Sequence, residues 1–351
     1  MWFFGNKSES AEADVFGYTH EFHREKTQKI NTKPPISQLE AGFIGCSKCG
    51  QEIALDSYVP LSIDRCPNCE TPVFVPFLIK DYWLYEPLGG GGMGSVYHAF
   101  HKHNDEIEFA VKVLPRERKN DPYLIESLLN EAKICWELGS HQHLNKVADF
   151  GRYGDEYYAV FEHIEGTRLD QIIESPIKRP EKQIILWALQ ILSAEQHMYD
   201  KGYLFRDLKP QNIMIDRNGN VKLFDFGLAM PIDQALHNDS DQIQGSPYYM
   251  PPERIVGAGE SQPSEIYSLG MVIFHVLAKH PFYTADDIKS LVGKHVISLR
   301  VNNMSSKLPN MTNPKLVNVI EKMIARVPER RFRTYKEAAA ALFKIYKSKA
   351  S

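Results

Sequence analysis

Five of the six residues from Gly89 to Gly94 are glycine, and that run constrains the chain more than any other feature. Within Leu88-Gly-Gly-Gly-Gly-Met-Gly-Ser-Val-Tyr97 the spacing G-x-G-x-x-G falls on Gly89, Gly91 and Gly94. Residues without a Cβ let backbone N–H groups approach phosphate oxygens closely. The next residues separate the folds that use such a run. A dinucleotide-binding fingerprint opens a helix after its third glycine, whereas Ser95-Val-Tyr-His-Ala-Phe100 alternates as a strand. The pattern predicts strand, phosphate-cradling turn, strand.

A third strand-like run, Glu108 to Leu114, carries Lys112 within apolar Ala110-Val-Lys-Val-Leu114. A buried lysine is costly unless paired. The helical segment Leu128-Leu-Asn-Glu-Ala-Lys-Ile134 offers Glu131 as its partner, which leaves Lys112 charged to hold phosphates. A helix is expected over about Tyr123 to Leu138, strands near Lys146 to Tyr153 and Glu156 to His163, and mainly helix beyond Ile184. A sheet-rich lobe thus precedes a helix-rich one.

Four of the five cysteines form two C-x-x-C pairs, Cys46-Ser-Lys-Cys49 and Cys66-Pro-Asn-Cys69, separated by 16 residues. That spacing fits a four-cysteine zinc site. Two knuckles supply the four thiolates a tetrahedral structural zinc takes, with no open position for catalysis. The apolar patches from Phe43 to about Pro76 are too few to close a core without such a staple. Between Phe43 and Ile79, Lys48 and Arg65 stand against Glu52, Asp56, Asp64 and Glu70. This acidity favours a structural clip or a protein-docking module over a nucleic-acid reader. Thioredoxin-type redox chemistry needs one pair beside a βαβ unit, which is not the pattern here.

A net charge of −3 and 43% hydrophobic residues fit a soluble globular chain of 351 residues, long enough for two domains. They give no footprint for nucleic acid or an anionic membrane. Apolar stretches around Ile184 to Leu192 and Leu269 to Leu277 are far shorter than the ~20 residues of a membrane span. Met1 to Phe4 lead into polar residues, without the h-region of a signal peptide. The cysteine pattern suits a reducing compartment, so a cytoplasmic location is expected. Residues 1–40 read as a flexible leader, 41–78 as the zinc ribbon and 82–346 as the large domain.

Phe205-Arg-Asp-Leu-Lys-Pro-Gln-Asn212 follows an amphipathic helix, and Asp225-Phe-Gly227 follows a short strand, Val221 to Phe224. The order of glycine run, V-x-K lysine, helix glutamate, R-D-L-K-P-x-N and D-F-G resembles the eukaryotic-type protein kinase family, and the Gly-Gly-Met-Gly turn is similar to that of bacterial members. The resemblance runs from about Tyr82 to Ala341. It implies an α+β bilobal kinase fold, with a small β-rich lobe over about 82–164 and a large helical lobe over about 165–346, preceded by the small zinc ribbon.

By that resemblance Asp207 orients the substrate hydroxyl and takes its proton, while Asn212 and Asp225 hold Mg2+ on the phosphates of ATP. Lys209 adds positive charge near the transferring phosphoryl and is similar to serine/threonine-directed members. The nucleotide is expected against Leu88, Gly89, Gly90, Gly91, Gly92, Met93, Gly94, Val96, Ala110 and Lys112. Phe161 is the expected gatekeeper, with the Glu162 carbonyl and the Ile164 N–H at the adenine edge. Gly245-Ser-Pro-Tyr-Tyr-Met-Pro-Pro-Glu253 resembles the end of an activation segment, and Arg331 the ion-pair partner of Glu253. The implied partners are ATP and proteins bearing serine or threonine.

Three positions depart from the family pattern. Phe205 stands where histidine or tyrosine is usual, and its ring is expected to stack against Phe226. Glu265 replaces the aspartate that ties down the catalytic loop from below. Cys135 reads as a small buried hydrophobe. The first two departures motivate the alternative of a pseudokinase scaffold or nucleotide-sensing module. Arg206 suggests a site for a phosphorylated activation-segment residue, with Ser240 the candidate, unless Asp233, Asp239 and Asp241 serve it already. The histidines at 98, 101 and 103 read as a solvated strand-to-strand turn.

Overall fold

The computed structural model describes residues 33–91, 94–237, 245–297, 304–309 and 312–348. They divide into two compact units, the first running to residue 130 and adding 147–163, the second formed by 131–146 and the chain from 164 onward.

In the first unit α1 (Ile36–Glu40) leads into β1 (Phe43–Gly45), β2 (Glu52–Ala54), β3 (Ile63–Arg65), β4 (Pro72–Phe74), β5 (Phe77–Ile79), β6 (Tyr82–Gly91), β7 (Gly94–His101) and β8 (Asn104–Val113). After α2 (Pro122–Leu138), within which the division between units falls, come β9 (Val147–Tyr153) and β10 (Glu156–Glu162). Two small hairpins, β1-β2 and β3-β4, carry the cysteine pairs, and a six-stranded sheet follows in the order β5-β6-β7-β8-β10-β9. Every pairing in that sheet is antiparallel. Residues 77–79 therefore belong to the sheet, pairing with β6 from Phe77 opposite Leu84, whereas the ribbon was expected to reach residue 78. At the other end ordered structure begins earlier than expected, because Leu39 of α1 is buried in the ribbon core. The rest of the expected leader, residues 1–32, lies outside the described residues.

The ribbon shares its core with the sheet. Leu39, Ile44, Cys46, Ile53, Cys66 and Val73 cluster with Tyr85 of β6 and Phe100 of β7. A segment with so few apolar residues cannot bury them alone, so it lays them on the neighbouring strands. His98 also departs from expectation. It lies within β7, not in a turn, and its Nε2 stands 2.8 Å from Glu108 Oε2, with the Tyr85 hydroxyl 2.9 Å from its Nδ1. The Lys33 ammonium, 3.3 Å from Glu108, supplies that carboxylate with a cation, so the cluster is an internal hydrogen-bond network. Only His101 and His103 flank the connection between β7 and β8.

The second unit contains β11 (Gly166–Arg168), α3 (Leu169–Glu174), α4 (Glu181–Asp200), β12 (Tyr203–Leu204), β13 (Ile213–Asp216), β14 (Val221–Leu223), β15 (Met230–Pro231) and α5 (Ile232–Leu236). Then follow α6 (Pro252–Ile255), α7 (Gln262–Ala278), α8 (Ile288–Ile297), α9 (Met304–Lys307), α10 (Pro314–Met323) and α11 (Tyr335–Lys347). Helix α7 is its centre. Ser261 caps it in a reciprocal box with Ser264, and every residue from Ser264 to Phe274 is buried. Gly270 allows the close packing of this helix, since a Cβ there would sit 2.6 Å from Ile324 Cγ2. The strands are short and serve position: β11-β13-β14 and β12-β15 bracket the segments that carry the catalytic-loop and D-F-G motifs. No described helix is long and apolar enough to cross a membrane.

Candidate active site

Strand β12 delivers the chain to Phe205, and the loop that follows is held by side chains from three directions. Arg206 takes a left-handed conformation, φ 66°, which costs a non-glycine residue energy unless its surroundings enforce it. Its backbone N–H donates to both carboxylate oxygens of Glu265, at 3.1 and 3.0 Å. The extra methylene of Glu265 thus still reaches the loop from α7. The Phe205 ring meets Phe226 edge to face, centroids 5.7 Å apart, so the aromatic contact expected of it is present.

Asp207 is buried, and its Oδ2 accepts from Asn212 Nδ2 at 2.8 Å and from the Lys209 ammonium at 2.8 Å. The same Asn212 amide also donates to the Asp207 carbonyl at 3.0 Å. A single 3-10 turn, Pro210–Asn212, brings Asn212 back to Asp207. The Phe224 N–H donates to the Asn212 carbonyl at 3.2 Å, which sets Asp225 beside this loop. Asp225 also has φ 66°. The structure therefore brings Asp207, Lys209, Asn212 and the D-F-G segment together. The Asn212 NH2 is spent on Asp207, which leaves its Oδ1, like the Asp225 carboxylate, a hard oxygen of the kind Mg2+ prefers. A small cleft beside Asp207 is lined by Ser246, Tyr249, Met250, Arg254 and Ser268.

In the first unit Leu88, Gly89, Gly90 and Gly91 lie in β6, Gly94 and Val96 in β7, and Ala110 and Lys112 in β8. Gly94 is required at its place: with φ 148°, a Cβ would lie 2.9 Å from the Val113 carbonyl and 3.5 Å from Lys112 Cγ. Val96 stands opposite Lys112, and Ala110 opposite Phe161. Glu162 ends β10, His163 closes the first unit and Ile164 belongs to the second, as does Glu131 within α2. Gly92 and Met93 lie outside the described residues.

The four cysteines converge. Cys46 and Cys69 sulfurs are 3.6 Å apart, as are those of Cys49 and Cys66, and all four lie within 4.8 Å of one another. A tetrahedral zinc with ~2.3 Å bonds sets its sulfurs about 3.8 Å apart, so the donor set fits that ion. The two knuckles repeat each other. The Gly50 N–H donates to the Cys46 carbonyl and the Glu70 N–H to the Cys66 carbonyl, both at 2.9 Å, and Gly50 and Glu70 share a left-handed φ of 74° and 58°. Thr71 hydrogen bonds draw the Cys69 thiol down to about 6, favouring a thiolate there.

Two residues escaped the sequence reading. Glu260 and Arg254 form, with Arg206, a buried charge cluster next to Asp207. Nothing in the spacing of Gly257-Ala-Gly-Glu260 signals it. Cys135 is buried, its thiol donating to the Asn145 carbonyl at 3.3 Å. Glu253 and Arg331 form the expected bidentate pair at 2.7 and 2.8 Å.

Residues 82–343 match the family described as Protein kinase domain. The chain is 32% identical over 260 residues to serine/threonine-protein kinase PrkC of Bacillus subtilis (strain 168), covering 74% of this chain and 39% of that protein. It is 28% identical over 258 residues to the probable serine/threonine-protein kinase PknB of Lactococcus lactis, covering 73% and 40%. To serine/threonine-protein kinase PknH of Mycobacterium tuberculosis it is 32% identical over 263 residues, 74% of this chain and 41% of that one. The chain thus spans about two fifths of the length of these relatives. With the glycine hairpin on a β-sheet, the Asp207–Asn212 clasp and the D-F-G turn all within the matched residues, the chain belongs to the protein kinase family.

Proposed function

We propose that the chain is an ATP-dependent protein kinase, transferring the γ-phosphoryl group to serine or threonine hydroxyls of proteins, with a structural zinc ion held by Cys46, Cys49, Cys66 and Cys69. The observation that carries this reading is the double engagement of Asp207 Oδ2 by Lys209 and Asn212. That clasp fixes the carboxylate and leaves Oδ1 to orient a hydroxyl group. Oδ1 faces Gly245, where a Cβ would lie 3.7 Å away, so the acceptor is presented from the side of the activation segment.

In the transfer, the hydroxyl oxygen forms its bond to the γ-phosphorus as the bond to the β,γ-bridging oxygen breaks, ADP departs, and the hydroxyl proton passes to Asp207. Lys209 places a positive charge near the shifting negative charge, and Lys112 holds the phosphates. Asn212 Oδ1 and Asp225 are the groups that would hold Mg2+, which supplies charge neutralisation at the phosphates when bound. Backbone groups of Glu162 and Ile164 would read the adenine edge, with Leu88, Val96 and Ala110 as apolar contacts of the nucleotide. The glycines from Gly89 to Gly94 cover the phosphates.

Neither Phe205 nor Glu265 supports a scaffold without activity, because the ring contact and the backbone hydrogen bonds at these positions are present. Transfer of labelled phosphate from Mg-ATP to a serine- and threonine-containing protein tests the reading. Transfer lost in both Asp207→Asn and Asp225→Ala is expected. Nucleotide binding with no turnover, unchanged by Asp225→Ala, would replace it with a nucleotide-sensing module.

A further inference from the structure

Arg206, the residue before the proposed catalytic aspartate, is engaged by a carboxylate from within the fold. Its Nε and Nη2 donate to Glu260 Oε1 at 2.9 and 2.8 Å. The other oxygen of Glu260 accepts from Arg254 Nε and Nη2 at 2.8 and 2.5 Å, and Arg254 Nη1 donates to the Arg206 carbonyl at 2.5 Å. One carboxylate thus joins two guanidinium forks, and the second fork returns to the backbone of the first. Glu260 is 1% exposed, Arg206 6%. Burial works to raise the Glu260 carboxyl, but Arg254 and Arg206 outweigh it and hold it below the usual carboxylate range. It is an anion in the folded protein.

The same cluster holds the activation segment at two places. The Glu260 N–H donates to the Ala235 carbonyl at 2.9 Å, and Gly259 packs so closely on Leu236 that a Cβ would meet its carbonyl oxygen at 2.2 Å. Farther along, Gly245, with φ 112°, passes beside Arg254 Nη1 and Asp207 Oδ1. Before and after residues 238–244, then, the segment rests on groups that Glu260 fixes.

In switchable kinases, a phosphate added to the activation segment orders it by giving an arginine an anion to pair with. We infer that Glu260 is that anion built into the chain: it positions Arg206, and through it Asp207 and the activation segment, so that phosphoryl transfer requires no phosphate on residues 225–253. Asp233, Asp239 and Asp241 are not needed for the role. Asp233 lies at the start of α5, and Asp239, Asp241 and the candidate Ser240 fall outside the described residues. The fork of Arg206 is already occupied, with its Nε and Nη2 both donating to one oxygen of Glu260, a charge-assisted engagement of the kind a phosphate oxygen would otherwise supply.

This inference rests on the kinase reading, and the test separates the two. The full chain is treated with a phosphatase, shown by mass spectrometry to carry no phosphate, and its progress curve is recorded from the first turnovers against a protein substrate. The curve is expected to be linear from the start, at the rate of untreated protein. Glu260→Gln removes the charge at constant shape. Its kcat is expected to fall by about tenfold to a hundredfold while KM for ATP stays within a factor of about two. Glu260→Asp, which keeps the charge, should fall between the two.

A lag, or a loss of most of the rate on dephosphorylation, overturns the inference. So does a Glu260→Gln protein with wild-type kcat. Should that variant fail to fold, the phosphatase result on the wild type decides alone. No transfer by the wild type, treated or untreated, refutes the kinase reading itself, and this inference with it.

Discussion

Both carboxylate oxygens of Glu265 accept the backbone N–H of Arg206, a residue held at φ 66° immediately before Asp207. The carboxylate comes from the central helix α7, whose residues from Ser264 to Phe274 are all buried, so the loop is tied to the core of its unit. Removing the acceptor leaves a buried N–H unpaired beside a strained residue. Glu265→Ala is expected to destabilise the protein by about 1–3 kcal/mol. The transfer rate should drop by about tenfold or more, because a small misplacement of Asp207 is costly in an in-line reaction. Thermal melts and steady-state rates check both. An unchanged kcat would mean that the loop keeps its shape without this tie.

Arg331 is fully buried and uses all five of its N–H groups. Two bind the Glu253 oxygens, and the others reach the carbonyls of Pro263, Ala325 and Arg326. A lysine has no planar fork and cannot repeat that pattern. Arg331→Lys keeps the charge but leaves buried carbonyls without their donors, and is therefore expected to cost about 1–3 kcal/mol. Urea denaturation measures it, and a loss below about 1 kcal/mol, the range of exposed pairs, would show that water reaches the site.

How far the sequence could be read depended on the kind of interaction. Local patterns were legible: glycines where one strand ends and the next begins, the strand β7, the two C-x-x-C knuckles, and the order of charged motifs along the chain. The pairing of Arg331 with Glu253 was legible only by resemblance, since 77 residues separate them. Glu260 was not legible at all, because Arg206 is distant in sequence and only the fold brings its guanidinium to the Glu260 carboxylate. His98 was misread for a related reason. It was grouped with the nearby His101 and His103, and only the sheet brings Tyr85 and Glu108 to its ring. The ribbon's extent was misjudged too, because its apolar residues complete their core with Tyr85 and Phe100 from another part of the sequence.

That shared core has a consequence for zinc. Cys46 and Cys66 are buried members of the cluster that includes Tyr85 and Phe100, so the cysteine site and the sheet should melt together. Cys46→Ser is expected to abolish zinc retention and lower the melting temperature of the sheet-bearing unit. A chelator should do the same to the wild type, since metal binding is linked to folding. Elemental analysis with calorimetry checks this. A separate low-temperature transition for the ribbon, leaving the main one unmoved, would show that the ribbon folds as an independent module.

Glu195 on α4 is buried, and neither of its carboxylate oxygens has a hydrogen-bond partner among the described residues. Burial, and then the nearby charge of Glu265, raise its carboxyl well above the ordinary value of 4.5. Burial also raises Glu265, to about 7, so the folded protein binds protons here that the unfolded chain has released. The contribution of Glu195 to stability is complete below its unfolded value and is lost as pH rises through its folded value, at up to about 1.4 kcal/mol per pH unit. Glu195→Gln replaces the carboxyl by a neutral group of the same shape. The variant should melt close to wild type at pH 5 and increasingly above it towards pH 8, the gap widening in the direction that charges the native carboxyl. A gap that stays constant across the series would mean that Glu195 is already ionised in the folded protein, and that a charge partner has been overlooked beside α4.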